Sequence, residues 1–140
     1  MGGIEMAGIE MAGATAASPG RLGCAFFDTL PARHLVGDDH GIELELTDDL
    51  RGPGGALHGG LVTMLVDVAG ASCLAAASGR LVATATTSIE YLAAGRVGPI
   101  RATGQALRVS ASRGVAEIRV VDRGKDDRLM AVALVSVSFL

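Results

Sequence analysis

The sequence predicts an α+β domain in which an antiparallel sheet wraps one long buried helix, and three observations carry that prediction. Residues 58–78 form an apolar run broken by a single charged side chain, Asp67. Four segments of strand character follow, so one helix must serve them all. The core stock is small and aliphatic: 49% of the 140 residues are hydrophobic, yet only three are Phe, one is Tyr and none is Trp. Such side chains let a helix and a sheet approach closely, and a chain of this length can bury about two-thirds of its unfolded surface in one core.

Gly-Ile-Glu-Met-Ala occurs twice, at residues 3–7 and 8–12, ahead of a stretch rich in Gly, Ala and Ser. The repeat is too short for a solenoid unit and too poor in large apolar side chains for a core. Residues 1–20 are therefore read as a flexible leader and residues 21–140 as the domain. With Glu5 and Glu10 and no basic start, the leader does not read as a secretory signal, which points to the cytoplasm. Residues 26–30 predict a helical turn ended by Pro31, and residues 42–47 alternate as a half-buried strand does. Residues 51–56, with three Gly and one Pro, are a loop.

The run 58–78 is too long for an ordinary strand, and its Leu, Met and Ala favour helix. As a helix it spans roughly 30 Å, enough to cross a bilayer. A mid-span Asp would cost about 2.5–3.5 kcal/mol there, and no basic cluster flanks the run, so it reads as the buried centre of a soluble domain. Strands are expected at residues 81–92, 99–109, 114–122 and 129–140. In the last, Leu129, Ala131, Ala133, Val135, Val137 and Phe139 share a face; in the first, Thr84, Thr86 and Ser88 share one. Residues 122–128 form a polar hairpin loop with Gly124 near its centre.

A net charge of −3 excludes the basic stripe that a nucleic-acid surface needs. Eleven of the twelve cations are Arg, and they become frequent only from Arg96 onward. Single guanidinium groups there suit the phosphates of a small anionic ligand. Cys24 and Cys73 stand 49 residues apart in no metal-ligand spacing and read as free thiols. His34 and His40 read as surface groups, and no cluster has the spacing of a metal site.

Chemistry concentrates in Gly55-Ala-Leu-His58-Gly59-Gly60 and in Asp67, nine positions after His58. A carboxylate in an apolar helix needs a partner, a proton or a function. Gly59 and Gly60 fall at the helix start, where N–H groups lack intrahelical partners and the dipole favours negative charge; they can stabilise a thioester oxyanion. With Leu65-Val-Asp67, the pattern resembles the signature of hotdog-fold thioesterases of the phenylacetyl-CoA thioesterase (PaaI-like) type: Asn-x-x-Gly-x-x-His-Gly-Gly, then an acidic residue nine positions after the His. The resemblance extends over residues 25–140, Ile89-Glu-Tyr-Leu92 looking like the strand after the family's helix.

The resemblance implies a hotdog fold and hydrolysis of acyl-CoA thioesters without metal or cofactor. It implies Asp67 as nucleophile or general base, Gly59 as oxyanion donor, His58 as a loop-orienting or thioester-contacting group, and Thr84 as a residue that orients water. Gly55, Gly60 and Met64 are expected at the substrate, and Arg96, Arg108 and Arg113 at CoA phosphates. Two departures stand out: Gly52 occupies the position of the family's Asn, and Ala93-Ala94 replaces an Arg-Pro pair. A catalytically silent acyl-CoA or acyl-ligand binding protein of the same fold is the alternative.

Gly59 and Asp67 lie eight residues apart on one helix, roughly 12 Å along its axis. An oxyanion donor and a base must both come within about 3 Å of one reacting carbonyl. Antiparallel helices across a symmetric dimer would bring Gly59 of one chain to Asp67 of the other, so a homodimer, or a tetramer of paired dimers, is expected.

Overall fold

The computed structural model describes residues 24–35, 37 and 40–140; the leader expected at residues 1–20 and the start of the expected domain lie outside these. Two short strands, β1 (Ala32–His34) and β2 (Gly41–Leu44), precede helix α1 (Gly59–Ser78), and β3 (Val82–Tyr91), β4 (Ile100–Val109), β5 (Arg113–Asp122) and β6 (Arg128–Phe139) follow it. All six pair antiparallel in the order β1-β2-β4-β5-β6-β3. This is the predicted architecture, one long helix inside an antiparallel sheet.

Helix α1 starts at the His58 N-cap, whose side chain accepts the Gly60 N–H, and ends where Gly79 turns left-handed (φ 67°) and donates to the Ala75 carbonyl. Its inward face buries Val62, Leu65, Val66, Ala69 and Leu74 against Ile42, Ile118, Val135 and Val137 of the sheet. The small-residue composition has a direct structural use here. A Cβ on Gly70 would stand 2.7 Å from the Val135 side chain, and one on Gly104 2.8 Å from Cys73 Cβ, so helix and sheet meet through glycine at both places. The helix is long and apolar enough to cross a membrane, but its sheet-facing side is the centre of this core.

Strand bounds agree closely with expectation, with three informative differences. Strand β1 was not foreseen, because Ala-Arg-His offers neither length nor alternation. Strand β2 stops at Leu44 instead of continuing to Thr47. In β3 the register slips between Thr84 and Thr86, so the simple alternation that would put Thr84, Thr86 and Ser88 on one face fails. Thr84 stands opposite Val137 on the helix side, whereas Thr86 stands opposite Ser136, and Ser88 opposite Leu134, on the outer side. In the β5–β6 connection the left-handed residues are Asp126 (φ 52°) and Asp127 (φ 53°), next to the three-residue helical turn Arg123–Lys125 that contains Gly124.

Candidate active site

Asp67 is half-buried on α1, and its only described hydrogen-bond partner is Thr84, whose Oγ1 donates to Oδ1 at 2.7 Å. The register slip in β3 is what turns Thr84 toward the helix. Oδ2 is left for a ligand or water. Asp67 opens onto a pocket of about 420 Å³ whose walls include Phe27, Val68, Ala71, Leu81 and Val82. His34, read from the sequence as a surface group, is half-buried and lines the same pocket.

The helix start is assembled by a separate set of contacts. His58 N–H donates to the Leu50 carbonyl at 3.0 Å, and His58 Nδ1 accepts the Gly60 N–H at 3.0 Å. His58 is thus a cap, its Nδ1 carries no proton in this arrangement, and the Gly60 N–H is already used. Gly59 is exposed, and no partner for its N–H is found among the described residues. Tyr91 Oη lies 2.6 Å from Thr63 Oγ1, and these two hydroxyls reach the Gly59 carbonyl at 3.3 and 3.2 Å. The pair ties the first turn of α1 to the end of β3.

Two arginines hold the glycine loop ahead of the helix. Arg51 donates to the carbonyls of Gly55 (2.8 Å) and Arg96 (2.9 Å), and Arg96 donates to that of Gly54 (2.6 Å). Gly55 takes a left-handed turn (φ 75°), where a side chain would be strained. The Arg96 backbone is itself anchored, because buried Asp122 accepts the N–H groups of Arg96, Val97 and Gly98 at 2.8–3.0 Å. Burial pushes the Asp122 carboxyl up, but the donors from Val97, Arg96, Gly98 and Gly124 together outweigh it and hold the group below the ordinary carboxylate range. Gly52, at the position of the family's Asn, sits beside the His58 ring: a Cβ there would be 3.6 Å from Cδ2.

One chain brings Asp67 and Thr84 together, and separately His58, Gly59, Gly60 and Gly55; it does not bring the two sets to one point. Gly59 lines a different pocket, of about 360 Å³, with Val62, Tyr91, Leu92 and Met130. Met64 is buried in the core and absent from the walls of both pockets. Arg108 and Arg113 are exposed and pair with Val115 and Ser138 on the sheet's outer face, away from α1. Arg51, Tyr91, Thr63 and Asp122 escaped the sequence as site residues, since each acts through a partner distant in the chain. The one available signal was Tyr91, the lone Tyr. Among the described residues no group of three or more His, Cys, Asp or Glu is placed to hold a metal ion.

The sequence profile of the thioesterase superfamily matches residues 54–130, a span that takes in the glycine loop, α1, β3 to β5 and the start of β6. This chain belongs to the thioesterase superfamily. Its architecture is the hotdog fold. Similar solved structures include a conserved Pseudomonas aeruginosa protein, PA5202, 24% identical over 84% of this chain and 94% of that one, with a TM-score of 0.75. The PaaI protein of the Escherichia coli phenylacetic acid degradation operon is 18% identical over 84% and 85% of the two chains (TM-score 0.71). The BH2602 protein of Bacillus halodurans, solved with CoA, is 22% identical over 71% and 66% (TM-score 0.64). No protein of curated function matches the sequence. Within this superfamily, the half-buried carboxylate facing a pocket and the free N–H at the helix start are the groups with chemical potential.

Proposed function

We propose that this protein is an acyl-CoA thioesterase of the PaaI-like type, acting as a cytoplasmic homodimer or a dimer of dimers. The observation that carries the reading is the division of labour within one chain. Asp67, oriented by Thr84, lines one pocket, and Gly59, whose N–H has no partner among the described residues, lines another. A second chain supplies what each lacks. The edge strand β3 supports such pairing: eight of its ten residues are exposed, and one of its edges has no strand beside it.

In the composite site the thioester carbonyl oxygen accepts the Gly59 N–H of one chain while Asp67 of the other lies at the carbonyl carbon. Asp67 either removes a proton from an attacking water or attacks the carbon itself; in both routes one water is consumed, the C–S bond breaks, and the acid and CoA thiol leave. Thr84 spends its proton on Asp67 Oδ1 and so fixes the carboxylate. Its role is to orient the base. Arg96 serves the loop through Gly54, while Arg108 and Arg113 stand on the outer face of the sheet.

A thiol-release assay over short, medium, long and aryl acyl-CoAs tests the reading; turnover that depends on Asp67 is the expected result. Gly52 favours one other reading, a silent acyl-CoA binder, because the loop lacks the side-chain amide of the family signature. Tight binding of an acyl-CoA with no thiol release from any of them would select it.

A further inference from the structure

One strand reaches both groups with chemical potential through a hydroxyl. Near the start of β3, Thr84 donates to Asp67 Oδ1 at 2.7 Å; at its last residue, Tyr91 meets the first turn of α1. The end of β3 is a firm base for that contact. Tyr91 pairs with Ala131 of β6, and the next N–H, that of Leu92, donates to the Met130 carbonyl at 2.7 Å. Tyr91 Oη and Thr63 Oγ1 stand 2.6 Å apart, with the Gly59 carbonyl oxygen 3.3 Å from the first and 3.2 Å from the second. Each hydroxyl has one proton, so one proton lies between the two hydroxyl oxygens while the other reaches the carbonyl. The three oxygens form a single relay and not two independent bonds.

The carbonyl that receives the relay belongs to the peptide joining Gly59 to Gly60, and the N–H of that peptide donates to His58 Nδ1 at 3.0 Å. It is gripped at both ends. On the other side of the Gly59 Cα, the His58 carbonyl accepts the N–H groups of Leu61 (2.9 Å) and Val62 (3.3 Å), which hold the peptide that carries the Gly59 N–H. Two successive glycines have the widest backbone freedom of any pair, so without such a grip the direction of that N–H would spread. A Thr hydroxyl bonded to the carbonyl four residues back is common in helices and by itself means little. Tyr91 changes its meaning, because it fixes the same carbonyl from outside the helix. We propose that Tyr91 and Thr63 are positioning residues, whose relay sets the direction of the Gly59 N–H by locking the backbone around it. The proposal rests on the thioester site above, in which that N–H is the oxyanion donor. A donor of this kind gains strength only as charge develops on the carbonyl oxygen, and it weakens steeply when misaligned. Loosening it therefore lowers kcat more than it weakens substrate binding.

Two measurements on the full-length protein, Tyr91→Phe, Thr63→Val, the double variant and Thr63→Ser test the proposal. The first is 15N relaxation of the Gly59 amide in protein labelled with 15N-glycine, which does not depend on turnover. Its order parameter is expected to fall from about 0.85 in wild type to about 0.6 in Tyr91→Phe. The second is thiol release from the best acyl-CoA substrate. Tyr91→Phe and Thr63→Val are each expected to lower kcat about 10-fold with KM within about 2-fold, and the double variant to match the single ones within about 2-fold, as one shared relay requires. Thr63→Ser, which keeps the hydroxyl, should regain most of the turnover lost in Thr63→Val. A merely structural tie would lower Tm and leave both the Gly59 order parameter and kcat in place. An unchanged order parameter in Tyr91→Phe, single-variant effects that multiply in the double variant, or a loss confined to KM overturns the proposal. Absence of thiol release from wild type, with the order parameter still falling in Tyr91→Phe, overturns the hydrolytic reading and upholds the positioning of the Gly59 N–H.

Discussion

Replacing Asp67 by Asn keeps the side-chain volume, and the Thr84 hydroxyl can still donate to the new amide oxygen, so the local geometry survives while the proposed base or nucleophile is lost. Thioester hydrolysis is expected to fall by at least about 100-fold at unchanged Tm, measured by thiol release and thermal melting. Unchanged turnover in a folded Asp67→Asn protein removes this residue from the mechanism. Gly52 allows a test in the opposite direction. Its φ lies outside the left-handed region, and an added Cβ meets nothing closer than the His58 ring at 3.6 Å. Gly52→Asn should therefore fold normally, place an amide beside the cap of the helix and raise turnover about threefold or more. A fall in activity at constant Tm would show that this loop, held by Arg51 and Arg96, works without that amide. The helix start at His58-Gly59 and the isolated carboxylate of Asp67 were legible in the sequence because both lie in one short local stretch. The jobs of Arg51 and Arg96 were not, since each is defined by a carbonyl that only the folded loop brings near, and Arg96 read as a phosphate ligand for that reason.

At the scale of elements, α1 and the four long strands could be read from the chain because period and length are local properties. The slip in β3 could not, because it arises from pairing with β6, and with it went the side of the sheet on which Thr86 and Ser88 stand. Glycine contacts between elements were visible only as composition. Gly70→Val would push a branched side chain into Val135, and a destabilisation of about 1–3 kcal/mol is expected by denaturant titration, with no direct change at Asp67. The turn before β4 depends on charge. Asp122 binds its N–H donors as the carboxylate, and its carboxyl lies below the ordinary range in the folded protein. Glu43 shows the same direction on the sheet's outer face: burial raises it, but the hydrogen bonds and charges of Arg33 and Arg101 outweigh that. A carboxylate depressed by folding stabilises the native state above its unfolded pKa, and that contribution is lost as pH falls toward the folded value. Stability should thus decline as pH drops below about 4. Asp122→Asn should lower Tm at neutral pH and flatten that acid slope; an unaltered slope would mean that Asp122 does not titrate with unfolding.

The whole molecule, as a single chain, leaves the proposed oxyanion donor, Gly59, and the Asp67 carboxylate on separate pockets and an edge strand exposed along most of its length. Light scattering is expected to give a dimer or tetramer mass, and a fully active monomer would refute the shared site. Pairing two inactive chains gives the sharper test. Gly59→Pro removes the candidate donor N–H at the first helical position, where Pro is tolerated, and His58 already has the extended backbone (ψ 133°) that a following Pro requires. Asp67→Asn removes the carboxylate. In a mixed dimer one site inherits both lesions, while the other combines intact Gly59 from the Asp67→Asn chain with intact Asp67 from the Gly59→Pro chain. Random pairing makes half the dimers mixed and half of their sites whole, so co-expression should recover about one quarter of wild-type activity, as the symmetry of an isologous dimer dictates. Sites built within single chains would each carry a lesion whatever the pairing. Activity held at the level of the separate variants, in a sample where differently tagged chains co-purify as folded mixed dimers, would therefore place the whole reaction inside one subunit.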